Sequence, residues 1–318
     1  MPATKSNCLL AQGPLLDAAV VRAADVIRRG GTVAVPTETV YGLAARADRD
    51  DAVAAIYRAK GRPDFNPLIV HVADLAHAER LAQMDAAAHV LAKRFWPGPL
   101  TLVLPRRDNA GLSAAVSAGL PTVALRCPAH RAMRALIAAT GLPLAAPSAN
   151  RSGAVSPTSA AHVAASLGDR VDLILDGGAC AQGLESTIVA IRAGGGWTVL
   201  RPGPITRDDI AALLGSVTEV PARGGIEAPG QLASHYAPGK PVRLNADAPN
   251  ACEFMIGFGP VAGDITLSAT GDLAEAAARL YACLHAAAAA SQPGVAVAQV
   301  PQTGIGEAIN DRLRRAAA

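Results

Sequence analysis

The sequence predicts an α/β fold: a twisted mixed sheet with flanking helices, followed by a small second α/β domain of Rossmann-like pattern. Three observations carry that expectation. Helical and strand-like periodicities alternate through the first two-thirds of the chain, the order that places helices on the faces of a sheet. The strand candidates are short apolar runs bounded by turn residues, as in strands with little solvent contact. A proline- and glycine-rich stretch then interrupts the pattern before it resumes. The 318 residues suit about two domains of roughly 150 residues each. The pattern divides the chain into residues 1–215, a linker at 216–240 and a small domain at 241–318.

Residues 15–29 have helical periodicity and stop at Gly30-Gly31, and 32–36 read as a short buried strand ending at a polar turn. Residues 50–59 form a helix with acids at its start and Arg58 and Lys60 at its end, the arrangement the helix dipole favours. Further strands are expected at 68–72, 100–104, 123–126, 173–175 and 187–191, with helices at 86–95 and 131–140 between some of them. Ser156 as N-cap and Pro157 as first helical residue would open a helix over 159–167. Pro221, Gly224, Gly225, Pro229, Gly230, Pro238 and Gly239 leave little room for regular structure in the linker. Beyond it, strands at 242–244, 253–257 and 295–300 and helices at 272–290 and 307–315 complete the small domain.

Composition narrows the function. A net charge of +3 and a pI near 8.7 suit an anionic substrate and at most weak binding of nucleic acid. Aromatics are only 3%, few for a protein that stacks single-stranded bases. Five scattered cysteines, never in C-x-x-C, argue against a zinc ribbon or a disulfide framework and suit a reducing compartment. There is no leader-like N-terminus and no 18-residue apolar run, so the expected location is cytoplasmic, without a membrane partner.

The densest chemical signal is Lys60-Gly61-Arg62-Pro63-Asp64-Phe65-Asn66-Pro67-Leu68, followed by His71. Two cations, an amide and an imidazole on one loop suit a phosphate chain, although no G-x-x-x-x-G-K-[ST] sequence is present. Helix capping explains Lys60 equally well; it does not explain Arg62 and Asn66. His71, inside an apolar run, reads alternatively as a core histidine. Pro36-Thr37-Glu38-Thr39-Val40-Tyr41-Gly42-Leu43 follows a strand, where open α/β sheets bind ligands, and its hydroxyls, carboxylate and phenol could orient a polar substrate. Thr122 and Arg126 fall on one face of a strand. An arginine there needs an anion, either an internal acid or a substrate carboxylate held bidentately.

Pro147-Ser148-Ala149-Asn150 forms a polar loop after an apolar run, and Arg201-Pro202-Gly203 offers a cation at a strand end. The segment Gly257-Phe258-Gly259-Pro260-Val261-Ala262 matches the dinucleotide fingerprint formally, but the proline and the absence of a following helix argue against it.

In this order the motifs K-x-R with N-P-L, T-V-A-L-R, P-S-A-N, S-P-T, E-S-T-I and L-R-P-G resemble the YrdC family over roughly residues 12 to 212. The linker from Ala228 to Pro238 and the end of the small domain are similar to its long two-domain branch, the threonylcarbamoyl-AMP synthases. The resemblance implies a nucleotidyltransferase that joins L-threonine, bicarbonate and ATP, with Mg²⁺, into threonylcarbamoyl-adenylate and pyrophosphate. A tRNA threonylcarbamoyl transferase complex would accept the product, for the adenosine beside the anticodon. By the same resemblance L-threonine lies near Thr39, His71, Arg126, Ala146 and Ser186. ATP lies against Lys60, Arg62, Asn66, Thr122, Ser148, Asn150, Ser156 and Arg201, with Tyr236 reaching in from the linker. Lys60 and Arg62 neutralise the reacting phosphates, and no protein metal ligand is implied. Some relatives carry a cation before the linker His-Tyr, where this chain has Ala233 and Ser234. The alternative reading is a structured-RNA-binding module without nucleotidyl transfer.

Overall fold

The computed structural model describes residues 7–192, 195–215, 225–231 and 234–318; of the expected linker, 216–224 and 232–233, including Ala233, lie outside them. The strands of the first part are β1 (Cys8–Leu10), β2 (Val33–Pro36), β3 (Tyr41–Arg46), β4 (Ile69–His71) and β5 (Leu100–Pro105). They continue with β6 (Thr122–Arg126), β7 (Leu144–Ala145), β8 (Leu173–Asp176), β9 (Thr187–Ile191) and β10 (Trp197–Arg201). Among the described residues these form one mixed sheet, ordered β1-β8-β2-β3-β7-β4-β6-β5-β9-β10. Its helices are α1 (Leu16–Arg28), α2 (Asp50–Lys60), α3 (Leu75–Leu81), α4 (Ala86–Phe95), α5 (Arg131–Thr140), α6 (Ala160–Leu167) and α7 (Arg207–Leu214).

Both faces of the sheet are covered, which is why its strands read as apolar runs. On one face Ile27 of α1 and Met133, Leu136 and Ile137 of α5 pack on Val33, Val35 and Leu175. On the other, Ile56 of α2, Leu91 of α4 and Val163 of α6 pack on Ala34, Leu43, Val70 and Leu102. Within β2, Val33 and Val35 face one core and Ala34 the other, the two-residue alternation of a strand. Asp74, Asp85, Ser159 and Thr206 cap α3, α4, α6 and α7 through side-chain oxygens.

Two local expectations are corrected. The polar segment after β2 is only a four-residue turn, because the chain returns at once as β3, antiparallel to β2 with Val35 opposite Gly42. The N-cap of α6 is Ser159, which accepts from the His162 N–H, rather than Ser156. The segment before it is engaged elsewhere: the Pro157 carbonyl accepts from the Tyr41 N–H, and Ser156 donates to Glu185.

The second part has β11 (Val242–Arg243), β12 (Glu253–Gly257), β13 (Ile265–Thr266) and β14 (Gly294–Val297) in an all-parallel sheet ordered β11-β14-β12-β13. Helices α8 (Leu273–Ala289) and α9 (Gly306–Ala316) cover it. Asp272, at the N-cap of α8, accepts from the Glu275 N–H. This core runs without a break into Val40, Val155, Leu184 and Tyr236, residues of the first part and the linker. No helix among the described residues is long and apolar enough to cross a membrane.

Candidate active site

The site lies where strand ends converge. β4 and β6 run parallel, and their last residues, His71 and Arg126, are register partners. Ala146 follows β7, Ser186 precedes β9, and Arg201 ends β10. With Thr39, Arg62, Ser148, Glu185, Gly230, His235 and Tyr236 they line a cavity of about 50 Å³.

Arg126 is buried, and its guanidinium donates from Nε to the Gly98 carbonyl (3.2 Å), from Nη1 to Thr39 Oγ1 (2.9 Å) and from Nη2 to Glu38 Oε1 (2.6 Å). Glu38 is the internal acid that the sequence left as one alternative. Its second oxygen accepts from the N–H groups of Ala129 and His130. Burial alone would raise the Glu38 carboxyl, yet Arg126 and these bonds hold it below the usual carboxylate range. Those three bonds use three of the five guanidinium N–H groups, leaving one on each Nη for a second carboxylate. The substrate alternative is therefore compatible with the internal one.

His71 is driven to a pKa of about 3 by burial and then by Arg126, so it is a neutral imidazole at neutral pH. Its Nδ1 is buried without a partner. Ser186 Oγ lies 2.8 Å from Thr101 Oγ1 and accepts from Arg201 (3.1 Å), whose Nε and Nη2 also donate to the Ser186 carbonyl. That turn can lie against the end of β10 because residue 203 is glycine: a Cβ there would come within 2.5 Å of the Thr187 nitrogen.

On the expected nucleotide side, Arg62 lines the cavity and is oriented by Asn66, donating to the Asn66 side chain (2.6 Å), the Asn66 carbonyl and the Pro67 carbonyl. Burial lowers its pKa to about 10, leaving it charged at neutral pH. Asn66 is thus behind the wall, as the residue that sets Arg62. Lys60 is also behind it: its ammonium is buried and donates to the carbonyls of Ser148 (2.5 Å) and Asn150 (2.6 Å). Burial pushes its pKa well down. Asn150 ties the same loop by donating to the carbonyls of Arg151 and Ala154, while its Oδ1 is buried without a partner. Thr122 is not with the others. It opens β6, about 13 Å of strand from Arg126 at the rise of a β-strand, and pairs with Pro105.

One expectation is corrected here, and two features are not visible in the sequence. The Tyr41 phenol, expected to orient a substrate, turns away from the cavity and donates to the Gly178 carbonyl; of that turn, Thr39 and Val40 line the cavity and Glu38 holds Arg126 from behind. Glu185 lines the cavity as a carboxylate: burial opposes its charge, but Arg312, Arg201, Ser156 and Tyr281 bring its pKa to about 2. It accepts from Ser156 Oγ (2.6 Å), Tyr281 Oη (2.7 Å) and Arg312 Nε (2.9 Å). The second feature is the depth to which the linker is built in. Tyr236 is buried at a φ of +65°. The His235 N–H donates to the Arg315 carbonyl and the Ala237 N–H to the Gly153 carbonyl, so the segment straps from α9 to the loop after Asn150. Gly230, at φ +83°, passes so close to Arg201 that a Cβ would meet its Cδ at 2.8 Å.

Comparison with known proteins gives the family. Residues 25–203 match the Sua5, YciO and YrdC family model described as telomere recombination, and 205–318 match the model for the threonylcarbamoyl-AMP synthase C-terminal domain. The threonylcarbamoyl-AMP synthase of Bacillus subtilis is 40% identical over 330 residues, covering 95% of this chain and 93% of that protein. That of Pyrococcus abyssi is 46% identical over 224 residues, covering 68% of this chain and 64% of its own length. The crystal structure of P. abyssi Sua5 complexed with L-threonine superposes with a TM-score of 0.89 at 35% identity, over 98% of this chain and 97% of that one. Both parts match in order, and the chain belongs to the Sua5/YrdC family, in its two-domain form with the threonylcarbamoyl-AMP synthase C-terminal domain.

Proposed function

We propose that this chain forms threonylcarbamoyl-AMP and pyrophosphate from L-threonine, bicarbonate and ATP. The observation that carries the reading is the pair His71 and Arg126 at adjacent strand ends, facing a cavity also lined by two further arginines, Arg62 and Arg201. The two uncommitted N–H groups of Arg126 would take the threonine carboxylate end-on, beside Thr39, Ala146 and Ser186. Neutral His71 can hydrogen-bond threonine without adding charge there.

Threonine's amine and bicarbonate condense to a carbamate with loss of water. A carbamate oxygen then attacks the α-phosphorus of ATP in line, the bond to the β-phosphate bridging oxygen breaks, and pyrophosphate leaves. A carbamate is a weak nucleophile, so positioning and charge neutralisation carry the rate and no protein nucleophile is needed. Arg62 and Arg201 would offset phosphate charge. Lys60 would act one step removed, by fixing the Ser148–Asn150 carbonyls, with Asn66 setting Arg62. The described residues contain no cluster of three side chains suited to a metal ion. Mg²⁺ would therefore enter on the ATP oxygens, as is usual for this ion, with Asn150 Oδ1 a free acceptor for its water shell.

A cavity of about 50 Å³ holds a few waters, whereas nucleotide-sized ligands occupy pockets of roughly 300–1,000 Å³. The strap carrying His235 and Tyr236 would therefore swing out to admit ATP and close again to keep water from the mixed anhydride. A tRNA threonylcarbamoyl transferase complex would consume the product, and the cytoplasm would be the site of synthesis. The test is pyrophosphate release from ATP and Mg²⁺ with L-threonine and bicarbonate omitted in turn. Release that requires both supports the synthase; release without threonine, or none, would refute it and favour the RNA-binding module.

A further inference from the structure

We propose that Arg312 is a positioning residue of this site, supplied by the C-terminal domain: it fixes the Glu185 carboxylate in the cavity wall and seats the Tyr236 ring that closes it. The kinetic part of this inference rests on the synthase reading. Arg312 lies on α9 and is fully buried. Its Nε donates to Glu185 Oε2 (2.9 Å) and its Nη1 to Asp311 Oδ2 (2.8 Å). The guanidinium carbon stands 5.4 Å from the Tyr236 ring centroid, within cation–π range, and Nη2 has no hydrogen-bond partner.

Arg312 does not line the cavity, but Glu185 and Tyr236 both do. It therefore reaches the substrates only through them. The grip is doubled by the same helix, since the Arg315 carbonyl accepts the His235 N–H one residue before Tyr236. Tyr281 of α8 holds Glu185 from the same side and lies 5.5 Å from the Tyr236 ring. The docking is close enough that a Cβ on Gly183 would meet the Ala278 carbonyl oxygen at 2.3 Å. Stability alone is a poor account of the arrangement. A buried ion pair is commonly no more stabilising than apolar residues of the same volume, and an unpartnered buried N–H is a further cost. What the guanidinium provides that an apolar side chain would not is a fixed direction for one carboxylate and one ring.

The test uses the full chain with Arg312→Met and Arg312→Lys, read by amide hydrogen exchange and steady-state kinetics. Exchange at His235 and Ala237 reports the strap; exchange at Val295, whose N–H donates to the Pro241 carbonyl, reports whether the C-terminal domain is intact. Arg312→Met should speed exchange at His235 and Ala237 by about tenfold or more while Val295 keeps its protection. It should also raise KM for threonine and ATP by about tenfold with a much smaller change in kcat, the loss expected when binding geometry alone is spoiled. Lysine, which restores the charge beside Glu185 but not the planar group, should recover part of both effects. Unchanged exchange at His235 and Ala237 in Arg312→Met would overturn the proposal. Should Val295 lose protection too, the doubly neutral Glu185→Gln/Arg312→Met chain replaces the single variant under the same criteria. Fast exchange at Val295 there as well would make Arg312 structural and end the idea. An exchange contrast without threonine-dependent pyrophosphate release in the native chain would sink the synthase reading and leave the clamp standing.

Discussion

Replacing Arg126 by lysine separates its two duties. Arg126→Ala would strand Glu38 in the interior, and removing one partner of a buried pair costs about 3–5 kcal/mol of stability. Lysine keeps the charge. Its three donors can serve Glu38 and Thr39 with one to spare, whereas arginine, after its bonds to Glu38, Thr39 and Gly98, retains two. The substitution thus removes about one charge-assisted hydrogen bond to the threonine carboxylate, roughly 1.5–3 kcal/mol. At 1.4 kcal/mol per decade, threonine affinity should fall by about one to two orders of magnitude. Calorimetric titration with L-threonine measures this, and a pyrophosphate assay at saturating threonine should return an ATP KM within about threefold of native, because the lost bond is not a phosphate contact. Threonine affinity within twofold of native would take Arg126 out of the amino-acid site and leave it as an internal partner of Glu38, Thr39 and Gly98.

Two further outcomes concern buried titratable groups. Lys60→Met should lower unfolding free energy by about 2–6 kcal/mol in denaturant, since the carbonyls of Ser148 and Asn150 each lose their donor at about 1–3 kcal/mol apiece. A variant of native stability would mean water replaces the ammonium. Strap closure should weaken below pH 6.5: burial depresses His235 to about 3 in the closed form, so the opened, solvated form binds the extra proton. The closed state is then fully favoured above pH 6.5 and loses up to roughly 1.4 kcal/mol per pH unit below it. Exchange at the Ala237 amide, corrected for the intrinsic pH effect, should rise accordingly between pH 7 and 5.5, and a flat profile would show that His235 stays buried on opening.

How much of this was legible beforehand depended on distance along the chain. The ends of apolar runs were readable, so Arg126 and Arg201 stood out as cations where strands stop. The caps of α8 and the turn after α2, with Gly61 at φ +59°, follow local rules as well. β3 did not: its sequence, Tyr-Gly-Leu-Ala-Ala-Arg, has no β-branched residue, and it becomes a strand because β2 and β7 pair with it. Lys60 looked like a phosphate ligand because its carbonyl partners lie 88 and 90 residues away. Thr122 and Arg126 share a face by parity, but strand length separates them. Arg312 reads as a helix C-terminal cation complementing the dipole, and only docking of α9 buries it.

The pairing of His71 with Arg126 also governs which changes of length this protein can absorb. Both side chains end buried, hydrogen-bonded strands, and strand side chains alternate between faces. Inserting or deleting one residue within β4 or β6 would turn one of the pair to the opposite face, with no intermediate register in which they meet. The loop after Asn150 and the strap, which meet it at Gly153, obey no such parity. Length variation among relatives of this site should therefore collect in the loop after Asn150 and in the strap, while β4 and β6 keep their residue counts.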